Sequence, residues 1–236
     1  MNIILFDKNV RQFNASDERY EHLKKVLHAE VGTSFRGGEI NSFSGECTIT
    51  AVSKEKIEFD FLPAKLDSTL YPLTVLLAQV RPICMKRILR ELVSLGVERL
   101  ILTRSDLGEK SYVESSLYTT DEYKTIMING AMQAGHTGVS DAIFASSVED
   151  ALKEISLDTT CLLLDNVVGS QKFNQLSLTD KKVCIAIGPE RGWSDRERKC
   201  LLERDFIPVL MGNRILRTET ASVAATALAL EHMNYI

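Results

Sequence analysis

Short apolar runs alternate with segments of helical period along the sequence from residue 70 onward. The first apolar run spans residues 73–80, and the amphipathic segment after it closes at Gly96. Further apolar runs follow at residues 99–103, 141–146, 161–165, 183–188 and 206–211. Because a helical segment separates each strand from the next, neighbouring strands can run in the same direction. The pattern therefore predicts an α/β domain around a mainly parallel sheet.

Helix-start signatures support this alternation. Each consists of a serine or threonine that can cap a helix, followed three residues later by an acidic residue. They are Thr119 with Glu122, Ser147 with Asp150, and Ser194 with Glu197. We therefore expect helices to begin at these positions.

The first part of the chain has a different pattern, of short strands and turns. Strands are expected at residues 2–6, 47–52 and 56–61, separated by Gly37-Gly38 and Ser44-Gly45. One helix is expected within residues 16–28. The change of pattern falls at residues 68–72, so we expect a small β-rich domain over residues 1–69 and an α/β domain over residues 70–236.

The composition, with 44% hydrophobic and 25% charged residues, is that of a soluble globular protein. The longest nearly apolar stretch, residues 221–230, is about half of a membrane span, and the amino terminus lacks a basic region followed by an apolar one. The five cysteines lie far apart and form no CxxC pair, so neither a metal site nor a disulfide framework is indicated. We therefore expect a cytoplasmic protein that binds no metal and no membrane.

The charge balance limits the kinds of partner. A formal net charge of −4 argues against an extensive phosphate-binding surface and leaves room only for a local basic patch. The candidates for such a patch are Arg81, Lys86, Arg87, Arg90, Arg104 and Lys110. These side chains could contact phosphates, or they could be ordinary solvent-exposed charges.

Ligands of open α/β sheets bind beyond the carboxyl ends of the strands, which directs attention to the loops after the last three strands. These loops span residues 165–170, 188–194 and 212–218. The sequence contains neither GxGxxG nor GxxxxGK[ST], which removes the usual argument for a dinucleotide fold or a nucleoside triphosphatase. A nucleotide-like ligand would have to bind by another geometry.

Two of these loops have an unusual composition. Residues 187–194, IGPERGWS, place two glycines and a proline between an apolar strand and a capped helix, which favours a tight loop with accessible amides, although a plain strand-to-helix turn would also account for part of it. In residues 211–221, Arg214 and Arg217 flank an apolar pair directly before an apolar helix. Their charges require a partner.

Together the two loops resemble the RsmE branch of the SPOUT methyltransferases. The matching residues are Gly188-Pro189-Glu190 with Ser194 and Glu197, then Gly212-x-Arg214-Ile215-Leu216-Arg217-x-Glu219-Thr220-Ala221. The resemblance extends to Leu95-Gly96-Val97, Thr103-Arg104-Ser105 and Gln133, and to His22-Leu23-x-x-Val26-Leu27 with Gly32. It therefore covers nearly the whole chain.

The resemblance implies an architecture and an activity. Residues 1–69 would form a PUA-like RNA-binding β-barrel, and residues 70–236 a SPOUT domain with a carboxyl-terminal trefoil knot that forms a homodimer. The activity would be S-adenosylmethionine-dependent methylation of N3 of a uridine in 16S ribosomal RNA. The partner would be that RNA, or the assembled small ribosomal subunit.

The resemblance also implies roles for individual residues. Main-chain atoms would hold the cofactor at Leu164, Ile187, Gly188, Met211, Gly212, Ile215 and Leu216, although their apolar side chains could equally be core. Glu190 could accept hydrogen bonds from cofactor hydroxyls, or cap a turn, or pair with Arg191. The uridine N3 proton must leave before the nitrogen can attack, and an arginine can stabilise the resulting anion. Arg217 is the first candidate for this role and Arg214 the second.

Several positions depart from the family pattern: His28, Glu91, Ser94, Asn129, His136 and Arg191. Because charged family positions are altered, two alternatives stay open. One is a SPOUT methyltransferase that acts on another RNA, such as transfer RNA, or on a ribose hydroxyl. The other is an RNA-binding or ribosome-assembly factor that does not transfer methyl groups. His136 itself could face the substrate, or it could have a surface or capping role.

Overall fold

The computed structural model describes residues 2–179 and 181–236. They form two compact units, residues 2–69 with Ala131–Val139, and Leu70–Gly130 with Ser140–Ile236. From the sequence, residues 131–139 were expected in the second domain. In the structure their backbone bonds to the first unit, since the Thr137 N–H donates to the Asp67 carbonyl at 3.1 Å and the Asn41 N–H donates to the Thr137 carbonyl at 2.8 Å.

The first unit is built on a five-stranded sheet. Its elements are β1 (Ile4–Phe6), β2 (Gln12–Asn14), α1 (Glu18–Lys25), β3 (Ser34–Glu39), β4 (Phe43–Val52) and β5 (Lys56–Leu66). The strand order is β1-β3-β4-β5-β2, with β1 parallel to β3 and the other pairs antiparallel. The sheet curls into a half-barrel that encloses a core of Phe6, Phe13, Tyr20, Phe35 and Phe59.

The expectation that Gly37-Gly38 and Ser44-Gly45 separate strands is wrong. Both pairs lie inside strands, where Gly37 and Gly45 face each other across β3 and β4. A side chain at Gly37 would overlap the Cys47 thiol, and one at Gly45 would overlap the Leu62 carbonyl. These glycines therefore permit a close approach of packed groups rather than a turn.

The second unit is built on a seven-stranded sheet. Its elements are β6 (Tyr71–Ala78), α2 (Pro82–Ser94), β7 (Val97–Thr103), α3 (Lys110–Val113), α4 (Ser116–Thr119), α5 (Glu122–Ala134), β8 (Asp141–Ala145), α6 (Val148–Lys153), β9 (Thr160–Leu164), β10 (Gln171–Lys172), β11 (Val183–Ile187), α7 (Asp195–Glu203), β12 (Ile207–Leu210) and α8 (Thr218–His232). The last turn of α5, from Ala131, belongs to the first unit. The order is β10-β12-β9-β11-β6-β7-β8, and the pairings are parallel. The α/β architecture with a parallel sheet is thus confirmed.

Strand β9 lies between β11 and β12, so the chain crosses β9 on its way from one to the other. The carboxyl ends of these three strands therefore meet at one edge, and their following loops converge. The trefoil knot stays a prediction, because strand order alone does not define how the chain is threaded.

Two of the three helix-start signatures are confirmed. The Ser147 hydroxyl accepts from the Asp150 N–H at 3.2 Å, and Ser194 forms a reciprocal capping box with Glu197. At the third a helix does begin, since α5 starts at Glu122, but the capping role of Thr119 is wrong: Thr119 ends α4, and its hydroxyl donates to the Ser115 carbonyl at 3.3 Å. Helices that combine the length and the hydrophobicity needed to span a bilayer are absent from the part of the chain that the structure describes.

Candidate active site

A cavity of about 850 Å³ lies at the carboxyl ends of β9, β11 and β12. The loops after these strands form much of its wall, and α2 together with the segment after β7 adds to it. It is lined by the predicted site residues Leu164, Ile187, Gly188, Glu190, Met211, Arg214, Ile215, Leu216 and Arg217. Gly212 is the predicted residue that does not line it.

The apolar residues of this set differ in burial. Ile187 is 3% exposed and belongs to the core of the sheet, whereas Ile215 is 86% exposed. Leu216 is 36% exposed. An exposed apolar pair at the mouth of a cavity is suited to contact the apolar face of a ligand.

Backbone geometry in two of the loops requires glycine. Gly192 has φ +71°, and its N–H donates to the Pro189 carbonyl at 2.8 Å, which closes a tight turn. Gly212 has φ +130°, and no described atom would lie within 4 Å of an added Cβ. Both conformations are rare for residues with a side chain, which explains why glycine occupies these positions. Without side chains there, the two loops stay narrow and their main chain stays accessible.

Hydrogen bonds join the start of α7 to the loop after β7. Glu197 is fully buried, and its carboxylate accepts from the Ser194 N–H at 2.8 Å and the Asp106 N–H at 2.9 Å. The Ser194 hydroxyl donates to Asp106 in turn. Hydrogen bonds from Arg196 and Ser194 lower the pKa of Asp106. This network joins the loop that carries Glu190 to the segment that carries Leu107, and both residues line the cavity.

A largely buried ion pair that was not predicted from the sequence borders the same cavity. Arg198 Nε donates to Asp165 Oδ2 at 2.8 Å, and their side chains are 14% and 3% exposed. The other Asp165 oxygen accepts from the N–H groups of Val167 and Val168, at 2.6 and 3.2 Å. The sequence signal that could have pointed to Asp165 is its place directly after an apolar strand. Aspartate side chains at such positions often accept hydrogen bonds from the backbone of the following turn.

Cys84 and Glu219 also line the cavity and were not predicted. A hydrogen bond from its own backbone N–H lowers the pKa of Glu219, as do the Cys84 thiol and the charge of Arg217. Burial raises the pKa of Cys84, and the Glu219 carboxylate raises it further. Glu190 Oε1 accepts from the Arg81 N–H at 3.4 Å, a contact outside its own loop.

Other candidate residues are not brought together at this cavity. Of the basic residues, Arg81 lines it, whereas Lys86 forms an ion pair with Glu122 at 2.5 Å. His136 belongs to the first unit, where its Nδ1 lies 3.4 Å from Asp67. No group of His, Cys, Asp or Glu side chains suited to a metal ion occurs among residues 2–179 and 181–236.

The parallel sheet and the cavity at its carboxyl edge correspond to a known class. Residues 67–230 match the model of the RNA methyltransferase domain family. A ribosomal RNA small subunit methyltransferase E from Treponema pallidum is 34% identical, over 98% of this chain and 91% of the relative. Its counterpart from Borreliella burgdorferi is 28% identical, over 96% and 95%. The chain therefore belongs to the ribosomal RNA small subunit methyltransferase E family.

Solved structures share the fold over the whole chain. The Neisseria gonorrhoeae ribosomal RNA small subunit methyltransferase E, bound to S-adenosyl methionine, superposes with a TM-score of 0.83 at 21% identity and covers 99% of this chain and 98% of its own. A methyltransferase from Legionella pneumophila, also with the cofactor bound, superposes with a TM-score of 0.84 at 20% identity and covers 98% and 97%.

Proposed function

We propose that this protein transfers a methyl group from S-adenosylmethionine to N3 of a uridine in 16S ribosomal RNA. The observation that carries the proposal is the convergence of three loops on one cavity, since these loops contain the residues that resemble the family's cofactor site. Relatives that match along the whole chain are named for the small-subunit ribosomal RNA. The enzyme would act in the cytoplasm, on the RNA or on the assembled small subunit.

The residues of the cavity fit the cofactor chemically. Ile215 and Leu216 offer apolar surface for the adenine, and the Glu190 carboxylate can accept from ribose hydroxyls. Trp193 lines the cavity, and its buried Nε1 has no hydrogen-bond partner among the described residues. A buried donor without a partner is costly, and a bound acceptor would satisfy it.

The bound cofactor supplies the reactive methyl group. Residues of the chain must stabilise the negative charge that develops on the uracil ring and accept the N3 proton. Arg217, at the start of α8, is exposed at the cavity, where its guanidinium can stabilise negative charge on the ring. Arg214 can contribute in the same way or anchor a phosphate. Arginine is a poor base, so the group that accepts the N3 proton is a different one.

The active assembly is proposed to be a homodimer. Helix α8 packs against the rest of its unit through Ala225, Ala229 and Leu230, but Leu228 is 39% exposed. A partner chain could cover this side of the helix, and the first unit would bind RNA. Light scattering at micromolar concentration should give twice the chain mass, and a monomer would contradict the dimer.

The substrate is tested by mass spectrometry of ribosomal RNA from cells that lack the protein, followed by addition of the purified enzyme to their small subunits. N3-methyluridine should be missing and then restored. Its persistence in the deletion strain would refute this substrate. Loss of a modified transfer RNA nucleoside, or of a ribose methyl group, would identify a different target.

A further inference from the structure

Arg198 differs from the other arginines of the cavity. Arg81, Arg191, Arg214 and Arg217 are exposed, whereas the side chain of Arg198 is 14% exposed. Salt and water screen exposed charges strongly and buried charges much less. The guanidinium of Arg198 is therefore less screened than the others, although the Asp165 carboxylate offsets part of its charge, and its free donors rather than its net charge are what it offers a small ligand.

The donors of Arg198 are only partly used. Nε donates to the buried Asp165, and Nη1 donates to Asp195 at 2.9 Å. Nη2 has no acceptor among the contacts of the described residues. The Asp165 bond fixes the plane of the guanidinium, so the direction of the unused donors is fixed as well.

The unused donor faces the loop that carries Glu190. A Cβ added to Gly192 would lie 3.5 Å from Arg198 Nη2, and both residues line the cavity. The Asp195 carboxylate is fully exposed and contributes little to the position of the guanidinium. An anion that enters from the cavity can therefore reach Nη2, and also Nη1 if Asp195 moves aside.

We propose that Arg198 binds the carboxylate of the methionine part of S-adenosylmethionine. The inference rests on the proposed function, because it takes that cofactor as the ligand. A planar guanidinium with two neighbouring donors matches a carboxylate in geometry and in charge. Asp165 acts as the positioning residue that holds Arg198 in place.

The test compares two ligands and needs no substitution in its first step. Calorimetry on the whole wild-type protein measures the affinity for S-adenosylmethionine and for its decarboxylated form. Loss of the carboxylate should weaken binding by roughly tenfold to hundredfold, as expected for a hydrogen bond between charged groups. Equal affinity for the two ligands would overturn the inference and leave the proposed function standing. A wild-type protein that binds neither would overturn both.

The second step removes the guanidinium. Arg198→Met should bind S-adenosylmethionine more weakly by the same factor and should no longer distinguish the two ligands. Lys199→Met is the matched control, because this neighbouring cation is exposed and does not line the cavity. It should behave as the wild type does. If Arg198→Met unfolds, the Asp165→Asn/Arg198→Met variant removes both charges of the pair together. Continued discrimination by either Arg198 variant would assign the carboxylate to another residue.

Discussion

The buried carboxylate of Glu197 accepts a hydrogen bond from the backbone N–H of Asp106 at 2.9 Å. The two residues are distant in sequence, one at the start of α7 and one after β7, and each neighbours residues that line the cavity, Arg198 and Leu107. Together with the bonds from Ser194 and Arg196 to the Asp106 carboxylate, this contact joins the start of α7 to the loop after β7. Because the capping box already fixes Glu197 on α7, the Asp106 loop is positioned relative to the helix start.

Replacing Glu197 should destabilise the second unit. Glu197→Ala removes the reciprocal cap of α7 and takes away the acceptor of the part-buried Asp106 N–H, at a cost of about 1–2 kcal/mol. Urea unfolding should show a lower midpoint. Glu203→Ala is the control, since that glutamate is exposed on the same helix. Equal midpoints for the two variants would contradict the structural role of Glu197.

Replacing Arg217 should affect turnover more than cofactor affinity. If Arg217 stabilises charge on the uracil ring, Arg217→Ala should lower kcat by roughly tenfold or more, with little change in the Kd of S-adenosylmethionine. Arg217→Lys should recover little, because a planar two-point contact is lost. Turnover is measured on small subunits and Kd by calorimetry, with Lys199→Ala as the control. Parallel losses in kcat and affinity would indicate a binding role instead.

Gly169→Ala should disturb the loop after β9. An added Cβ would overlap the Asp165 carbonyl and lie 2.7 Å from Leu210 Cδ2, so the loop must shift. Overpacking of this kind costs about 1–3 kcal/mol. Thermal unfolding should occur at a lower temperature, and cofactor affinity should fall because Asp165 borders the cavity. Ser170→Ala, at the exposed neighbouring position, should change neither.

Asp67 should make part of the stability of the first unit depend on pH. Burial raises the pKa of this carboxyl, but hydrogen bonds from Lys65 and Ser44 and the charge of His136 outweigh it, so the pKa is lowered. A lowered pKa stabilises the fold above the unfolded value of about 4, and this contribution is lost as the pH falls through the folded value.

Urea unfolding between pH 2 and pH 7 checks this expectation. Asp67→Asn should cost about 1–3 kcal/mol at neutral pH, with a difference from the wild type that shrinks in acid. Asp60→Asn, on the exposed side of β5, should leave the pH profile unchanged. A difference that stays constant down to pH 2 would show that the Asp67 charge is not involved.

The sheet of the second unit could be predicted from the sequence because its central strands, such as β11, are buried on both faces. Such strands appear in the sequence as continuous apolar runs, as residues 183–187 do, because side chains on both faces of the strand are buried. Strand β3 could not be found in this way. It contains Gly37 and Gly38, whose usual meaning is a turn, and the need for close packing against Cys47 is visible only in three dimensions.

The loops of the cavity were predicted from strand order and family resemblance, but the contacts within them were not. Arg198 and Asp165 are 33 residues apart in sequence, and no local pattern joins them. Their pairing depends on where α7 lies relative to the end of β9. Thr119 shows the opposite failure: a local signature pointed to the helix that begins at Glu122, but Thr119 itself belongs to the short helix α4 and does not cap it.

The assignment of Ala131–Val139 to the first unit makes that unit discontinuous in sequence. During synthesis the ribosome must therefore produce the strands and helices from residue 70 to residue 130 before the last segment of the first unit can join it. Domains usually fold in the order in which they are synthesised, but here the earlier unit stays incomplete while the later one is partly made. A fragment that ends at residue 69 lacks the Thr137 backbone contacts to Asp67 and Asn41. Completion of the first unit therefore has to wait until residues 131–139 have been synthesised.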